Sequence, residues 1–306
     1  MLKRDFWDRF ACKLKSVDEA PEPLRSTLIA TVKPDEAMRL LLFGPAHKTF
    51  DKCSPATLLA VLDHEWVVVS GMEETPPSIA RCDFADTLLV ELTSILLFGK
   101  LRMDFAADGH AQEVTIHFNT VMERLYREAA EIVLNGMDGV SVIEPRASQE
   151  LRAALESLPR KFCNAMLEFM PMGQRVLCVV HWPAVLGGRF KLFRHELAPE
   201  AVLALTEREL LLITEEKTWP WVRSGRLSKY GSVVTHFPLS RVDSFELNAD
   251  DQIATIDVEI RAGRIGKTFK IDFPREQETA VSDFMERVIT DSAGHFPRTA
   301  GQRPGH

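Results

Sequence analysis

PATLLAVLDHEWVVVS (Pro55–Ser70) and PEAVLALTERELLLIT (Pro199–Thr214) align without a gap. Only Pro55/Pro199, Leu59/Leu203, Ala60/Ala204 and Glu65/Glu209 are identical, but the pattern matches more widely. An apolar run leads to a charged pair, a glutamate and four apolar residues. The charged pairs, Asp63-His64 and Glu207-Arg208, stand where two strands would turn back on each other. Self-similarity of this kind is the first thing to look for in a chain, because it sets the architecture.

The match extends outward in the same order. Upstream, MRLLLFGPA (Met38–Ala46) lies over VLCVVHWPA (Val176–Ala184). Downstream, EVTIHFNT (Glu113–Thr120) lies over TFKIDFPR (Thr268–Arg275). Val114, Ile116 and Phe118 alternate, as do Phe269, Ile271 and Phe273, which predicts half-buried strands. A helix follows each. In the first copy its apolar stripe is Val121, Met122, Leu125, Ala129, Ile132 and Val133, with Asn119 as a cap. In the second it is Ala280, Val281, Phe284, Val288 and Ile289, with Pro274 near the start.

The expected organisation is an N-terminal helix (1–20), a first module (21–136), a linker with a helix (137–157), a second module (158–293) and a disordered tail (294–306). PEPLRSTLIATV and LPRKFCNAMLEFM are lead-in helices of the two modules.

In the second copy, AVLALTERELLLI, FPLSRVDSFEL (Phe237–Leu247), TFKIDFP and the closing helix together resemble the bacterial pleckstrin-homology-like domains. In the first copy FADTLLVEL stands where FPLSRVDSF would, without the Pro and Ser. The resemblance implies an α+β fold of two tandem pleckstrin-homology-like modules. Each would be a bent antiparallel sheet of about seven strands capped by a C-terminal helix. It also implies binding or assembly in place of catalysis; fold by itself does not choose the ligand.

Composition narrows the function classes. Hydrophobic residues make up 45% and charged residues 26%, as in folded globular proteins. The net charge of −7 gives no bulk attraction to nucleic acid or anionic lipid, so no nucleic-acid partner is expected. The five cysteines are spaced neither as a disulfide framework nor as a zinc site, which predicts buried, reduced thiols and a cytoplasmic location. MLKRDFWDRFACKLK lacks the apolar core of a signal peptide. Apolar stretches elsewhere fall short of the ~20 residues that cross a bilayer. No cofactor and no metal are expected.

GRIGKT (Gly263–Thr268) has Arg261 where a phosphate loop needs its first glycine, and an alternating strand follows it, so it reads as a hairpin turn. His64-Glu65 and His195-Glu196 lack the second histidine of a zinc protease, and these histidines read as surface residues.

Three candidate contact regions remain. The segment KTWPWVRSGRLSKYG (Lys217–Gly231) interleaves Trp219, Trp221 and Tyr230 with Arg223, Arg226 and Lys229. The first copy has GMEETPPS there. With Phe84 set over Phe237, the offset rises from 144 to 153, so the second copy carries nine extra residues. Cations among aromatics bind phosphates or partners, while packing of the tryptophans on the module explains the same residues. GGRFKLFR holds Arg189, Lys191 and Arg194, which are similar to a headgroup-binding first hairpin and equally to an exposed strand face. Residues 1–15 place Phe6, Trp7 and Phe10 among five basic and two acidic side chains, suiting a membrane interface or docking on the first module.

The leading reading is a non-catalytic binding or scaffold protein, with a protein partner or homo-oligomer. One alternative is a peripheral membrane protein that binds anionic headgroups through the N-terminal helix and basic hairpin. Another is an enzyme with a site between the modules.

Overall fold

The structure is a computed structural model that describes residues 10–33, 36–49, 52–72, 75–139, 155–170, 173–187, 195–215, 231–250 and 252–291. Within these residues it is a mixed α+β fold of mostly antiparallel sheets and four helices.

The first half runs β1 (Cys12–Lys13), α1 (Leu24–Thr31), β2 (Met38–Gly44), a small hairpin β3 (His47–Thr49) and β4 (Lys52–Ser54), β5 (Ala56–Leu62), β6 (Glu65–Gly71), β7 (Ser78–Asp83), β8 (Thr87–Ile95), β9 (Phe98–Ala107), β10 (His110–Asn119) and α2 (Glu123–Met137). The second runs α3 (Arg160–Phe169), β11 (Val176–Trp182), a small hairpin β12 (Val185–Gly187) and β13 (His195–Ala198), β14 (Ala201–Thr206), β15 (Glu209–Glu215), β16 (Gly231–Pro238), β17 (Val242–Ala249), β18 (Ile253–Ala262), β19 (Ile265–Pro274) and α4 (Glu278–Asp291). The strand order therefore recurs. β2-β5-β6-β7 corresponds to β11-β14-β15-β16, and β8-β9-β10 corresponds to β17-β18-β19.

The repetition reaches into irregularities. The β8–β9 ladder slips between Thr87 and Leu89, and the β17–β18 ladder slips between Val242 and Ser244. These bulges lie 155 residues apart. Pairing with β6 and β15 gives the same offset for β7 and β16, since Glu65 faces Asp83 while Glu209 faces Pro238. Phe84 N–H donates to His64 C=O and Leu239 N–H to Arg208 C=O, so Phe84 corresponds to Leu239. The structural match lies two residues beyond the Phe237 expected from sequence. The shift from 144 to 155 makes the insertion eleven residues, not nine.

Alternating strands bury one face of each half. Leu101, Met103, Ile116 and Phe118 pack with Tyr126, Ala129 and Val133 of α2, forming the first core. Ile256, Val258, Ile271 and Phe273 pack with Val281, Phe284 and Val288 of α4, forming the second. The lead-in helices cover the opposite faces: Leu24 and Leu28 lie on Leu58, Ala60, Val67 and Val69. Phe162 and Met166 lie on the equivalent Val202, Ala204, Leu211 and Ile213. Asn119 Oδ1 accepts from Val121 N–H at 3.0 Å, capping the 3-10 turn that leads into α2.

GRIGKT is a hairpin: Ala262 faces Ile265, and Gly263 sits at φ 57°, a left-handed value that glycine adopts without strain. The matching turn of the first half is Asp108-Gly109, both at positive φ, as a two-residue type I′ connection requires.

Several expectations differ. An N-terminal helix does not extend through residues 10–20, because Cys12–Lys13 add as a strand to β2 and Val17–Glu19 form a 3-10 turn. Cys12 and Cys82 are buried thiols, whereas Cys163 and Cys178 are half-buried. Val121, Ala280 and Ile289, placed in the helix stripes by spacing, are exposed. The tail and most of the linker lie outside the described residues. Among the described residues, no helix is long and apolar enough to cross a membrane.

Candidate functional site

The two halves are joined edge to edge. β16 pairs antiparallel with β8, from Gly231↔Ile95 to His236↔Val90, giving one seven-stranded sheet in the order β10-β9-β8-β16-β15-β14-β11. Strand β8 (TLLVELTSI) is buried on both faces over Thr87–Thr93, which is why its apolar run is nearly unbroken.

Polar groups line both faces of this seam. On one face Asp104 is fully buried and accepts from Arg102 Nε and Nη2 at 2.8 Å each and from Lys267 Nζ of the other half at 2.6 Å. Glu91, also buried, accepts from Thr235 Oγ1 at 3.3 Å and lies 3.8 Å from both Lys100 and Arg102. On the other face His236 Nδ1 lies 2.9 Å from Glu209 Oε2. Arg241 donates to the C=O groups of Thr87 (2.9 Å) and Phe84 (3.2 Å), and Ser240 donates to Asp138 at 3.4 Å. Thus the serine and arginine of FPLSRVDSF grip the first half. Burial pulls the Arg241 pKa down, opposed by Asp138 and Asp86.

Burial, aided by Glu209, pushes the Asp138 carboxyl up to about 6 from 3.8. An acid raised on folding binds more protons folded than unfolded between those two values, so it lowers stability as pH rises from about 4 to about 6. Allowing for its partial exposure, this cost is on the order of 1–2 kcal/mol at neutral pH. Urea titrations at pH 4.5 and 7 are expected to show a fall that Asp138→Asn reduces by that amount. An identical pH dependence in the variant would remove Asp138 as its source.

A cleft of about 340 Å³ separates α2 from α3, lined by Leu92, Arg127, Leu134, Leu167 and His236. Arg127 bridges it, pairing with Glu168 at 2.9 Å and lying over the Phe169 ring at 5.4 Å. A second cleft of about 300 Å³ is lined by Ser94, Glu123, Lys161, Glu215 and Gly231. Its walls carry more acid than base: Ser94 donates to Glu123 at 2.8 Å, Lys161 bonds Glu200 and Glu215 at 2.5 Å each, and burial pushes the Glu123 carboxyl up. Among the described residues, no three His, Cys, Asp or Glu side chains are grouped to hold a metal ion.

Trp219, Trp221, Arg223, Arg226, Lys229, Tyr230, Arg189, Lys191, Arg194, Phe6 and Trp7 lie outside the described residues. Phe10 is described and half-buried. Glu215 and Gly231, the described residues on either side of 216–230, both line the second cleft. His64 is exposed, as expected, but its neighbour Glu65 is buried and pairs with Arg81 at 2.5 Å. The seam residues Glu91, Asp104 and Asp138 carry no motif, whereas Arg241 lies in FPLSRVDSF. The one trace of them in the sequence is the contrast between unbroken TLLVELT and alternating VDSFELN.

Searches found no protein-family model that matches this chain and no matching curated protein.

Proposed function

We propose that the chain is a non-catalytic binding and scaffold protein of two pleckstrin-homology-like modules, whose work is contact with other polypeptides. The repeated order of a four-strand meander, a three-strand meander and a closing helix supports the module reading. The observation that carries the functional reading is the β8–β16 ladder. There, one half takes up the edge strand of the other by backbone hydrogen bonds, which is the chemistry of recognition by strand addition. The charged clefts beside the ladder supply side-chain selectivity.

The test joins a ligand screen with cross-linking of the full-length chain in its own cells. Nucleotides, sugar phosphates and divalent ions are expected to leave Tm unchanged, and anionic vesicles to sediment without the chain. A true ligand at about 100 times its Kd would stabilise by ~2.7 kcal/mol, a rise of several degrees. Cross-links are expected to reach another polypeptide. Turnover of a small molecule that also raises Tm would sink the scaffold reading in favour of an enzyme. Tight vesicle binding would favour the membrane alternative.

A further inference from the structure

We infer that the chain associates head to tail with further copies of itself, β17 of one copy adding to β7 of the next. This rests on the scaffold reading and names its partner. The internal junction is heterologous, because different edges meet: β8 from the first half and β16 from the second. Among the described residues their counterparts, β17 and β7, are both edge strands. Within those residues each chain therefore carries one unused copy of each side of a junction that it already makes once.

The side chains point the same way. With the 155-residue offset, the Val234↔Leu92 pair of the internal ladder becomes Ile79 opposite Leu247, and His236↔Val90 becomes Arg81 opposite Phe245. Val234 is fully buried at the seam, whereas Ile79 is 49% exposed. Leu134 of α2, at 5%, lines the inter-helix cleft; its counterpart on α4, Ile289, is 56% exposed. Leu167 of α3 lines the same cleft; its counterpart on α1 is Ile29, also 56% exposed. Three large apolar residues thus face solvent where their counterparts beside the internal junction are buried (Val234, Leu134) or half-buried (Leu167). Two lie on the β7 side (Ile29, Ile79) and one on the β17 side (Ile289).

The contact between chains is weaker than the one within. Leu88 and Leu89, buried at the internal seam, become Asp243 and Ser244 in β17. The exposed polar residues of β17 also discourage indiscriminate edge pairing. Association is accordingly reversible and grows with concentration. A heterologous contact forms a ring if its rotation closes and a filament otherwise.

Sedimentation of full-length protein over a wide concentration range, with Ile79→Lys and Ile289→Lys, tests the inference. Both sites are exposed, and matched melting curves verify that the variants fold. The parent is expected to grow with concentration into species that include trimers or larger. Each variant alone, with one side blocked, should stay monomeric. Mixed, the variants should form a dimer and nothing larger, through the one intact pair of sides. A parent that is monomeric throughout, a parent that stops at a symmetric dimer, or variants that assemble like the parent would each overturn it. If the parent stays monomeric while cross-linking in cells reaches a different protein, self-association fails and the scaffold reading stands.

Discussion

Asp104→Ala is expected to destabilise the protein by about 3 kcal/mol, the lower end of the cost of breaking a buried ion pair. Asp104 is fully buried, and its two oxygens take both the Arg102 guanidinium and the Lys267 ammonium. Removing it leaves those cations facing each other in a half-buried seam. The cost stays below the maximum because Glu91 and Glu113 lie within 3.8 Å and 3.4 Å of Arg102 and retain part of its compensation. Lys267→Ala should cost far less, about 1 kcal/mol, since that ammonium is partly solvated and Asp104 keeps Arg102. Urea denaturation measures both. Equal losses for the two variants, or a loss below about 1 kcal/mol for Asp104→Ala, would show that the seam network does not hold the halves together.

Trp66→Ala should cost about 3–5 kcal/mol, as truncation of a buried aromatic does. The indole is fully buried, meets the Phe105 ring edge-on at 5.0 Å and donates Nε1–H to Thr87 Oγ1 at 2.9 Å. Thr87 opens β8, so this bond ties the first sheet of the half to the start of the second. Position 210, its equivalent in the other half, holds leucine. Trp66→Leu is therefore expected to cost clearly less than alanine. Thr87→Val, which strands the indole N–H, should cost about 1–3 kcal/mol. Thermal unfolding with calorimetry separates the three; a leucine variant as unstable as alanine would show that the two cores are not interchangeable in this respect.

The hairpins, the closing helices and the repeat were legible because period-two and period-3.6 apolar patterns report which faces meet a core. The helix stripes misled at Ile289 and Val121. Spacing places a residue on a face, but it does not say how far along the helix the cover extends. The alignment slipped at Phe84 because an insertion can be traded against identity, whereas the backbone bonds of Phe84 and Leu239 leave no such freedom. The seam was not legible. Edge pairing uses backbone groups that every residue carries, and Asp104, Lys267, Asp138 and Arg241 meet only through that pairing. The apolar excess of β8 over β17 is the single signal, and it needs the correct offset to be seen. Of the site residues chosen by sequence, only Phe10 falls within the described chain; the structure adds Glu215 and Gly231, on either side of 216–230, at the second cleft.

The β8–β16 ladder also has a consequence in time. Glu91 and its partner Thr235 are separated by 144 residues. Synthesis at roughly 5–20 residues per second delivers β16 about 7–30 s after β8, whereas hairpins close in microseconds. During that interval the first half, otherwise ready to fold, holds out an apolar edge with no partner. The nascent chain is thus most open to mispairing with neighbours on the same message at the stage when half of it is already built.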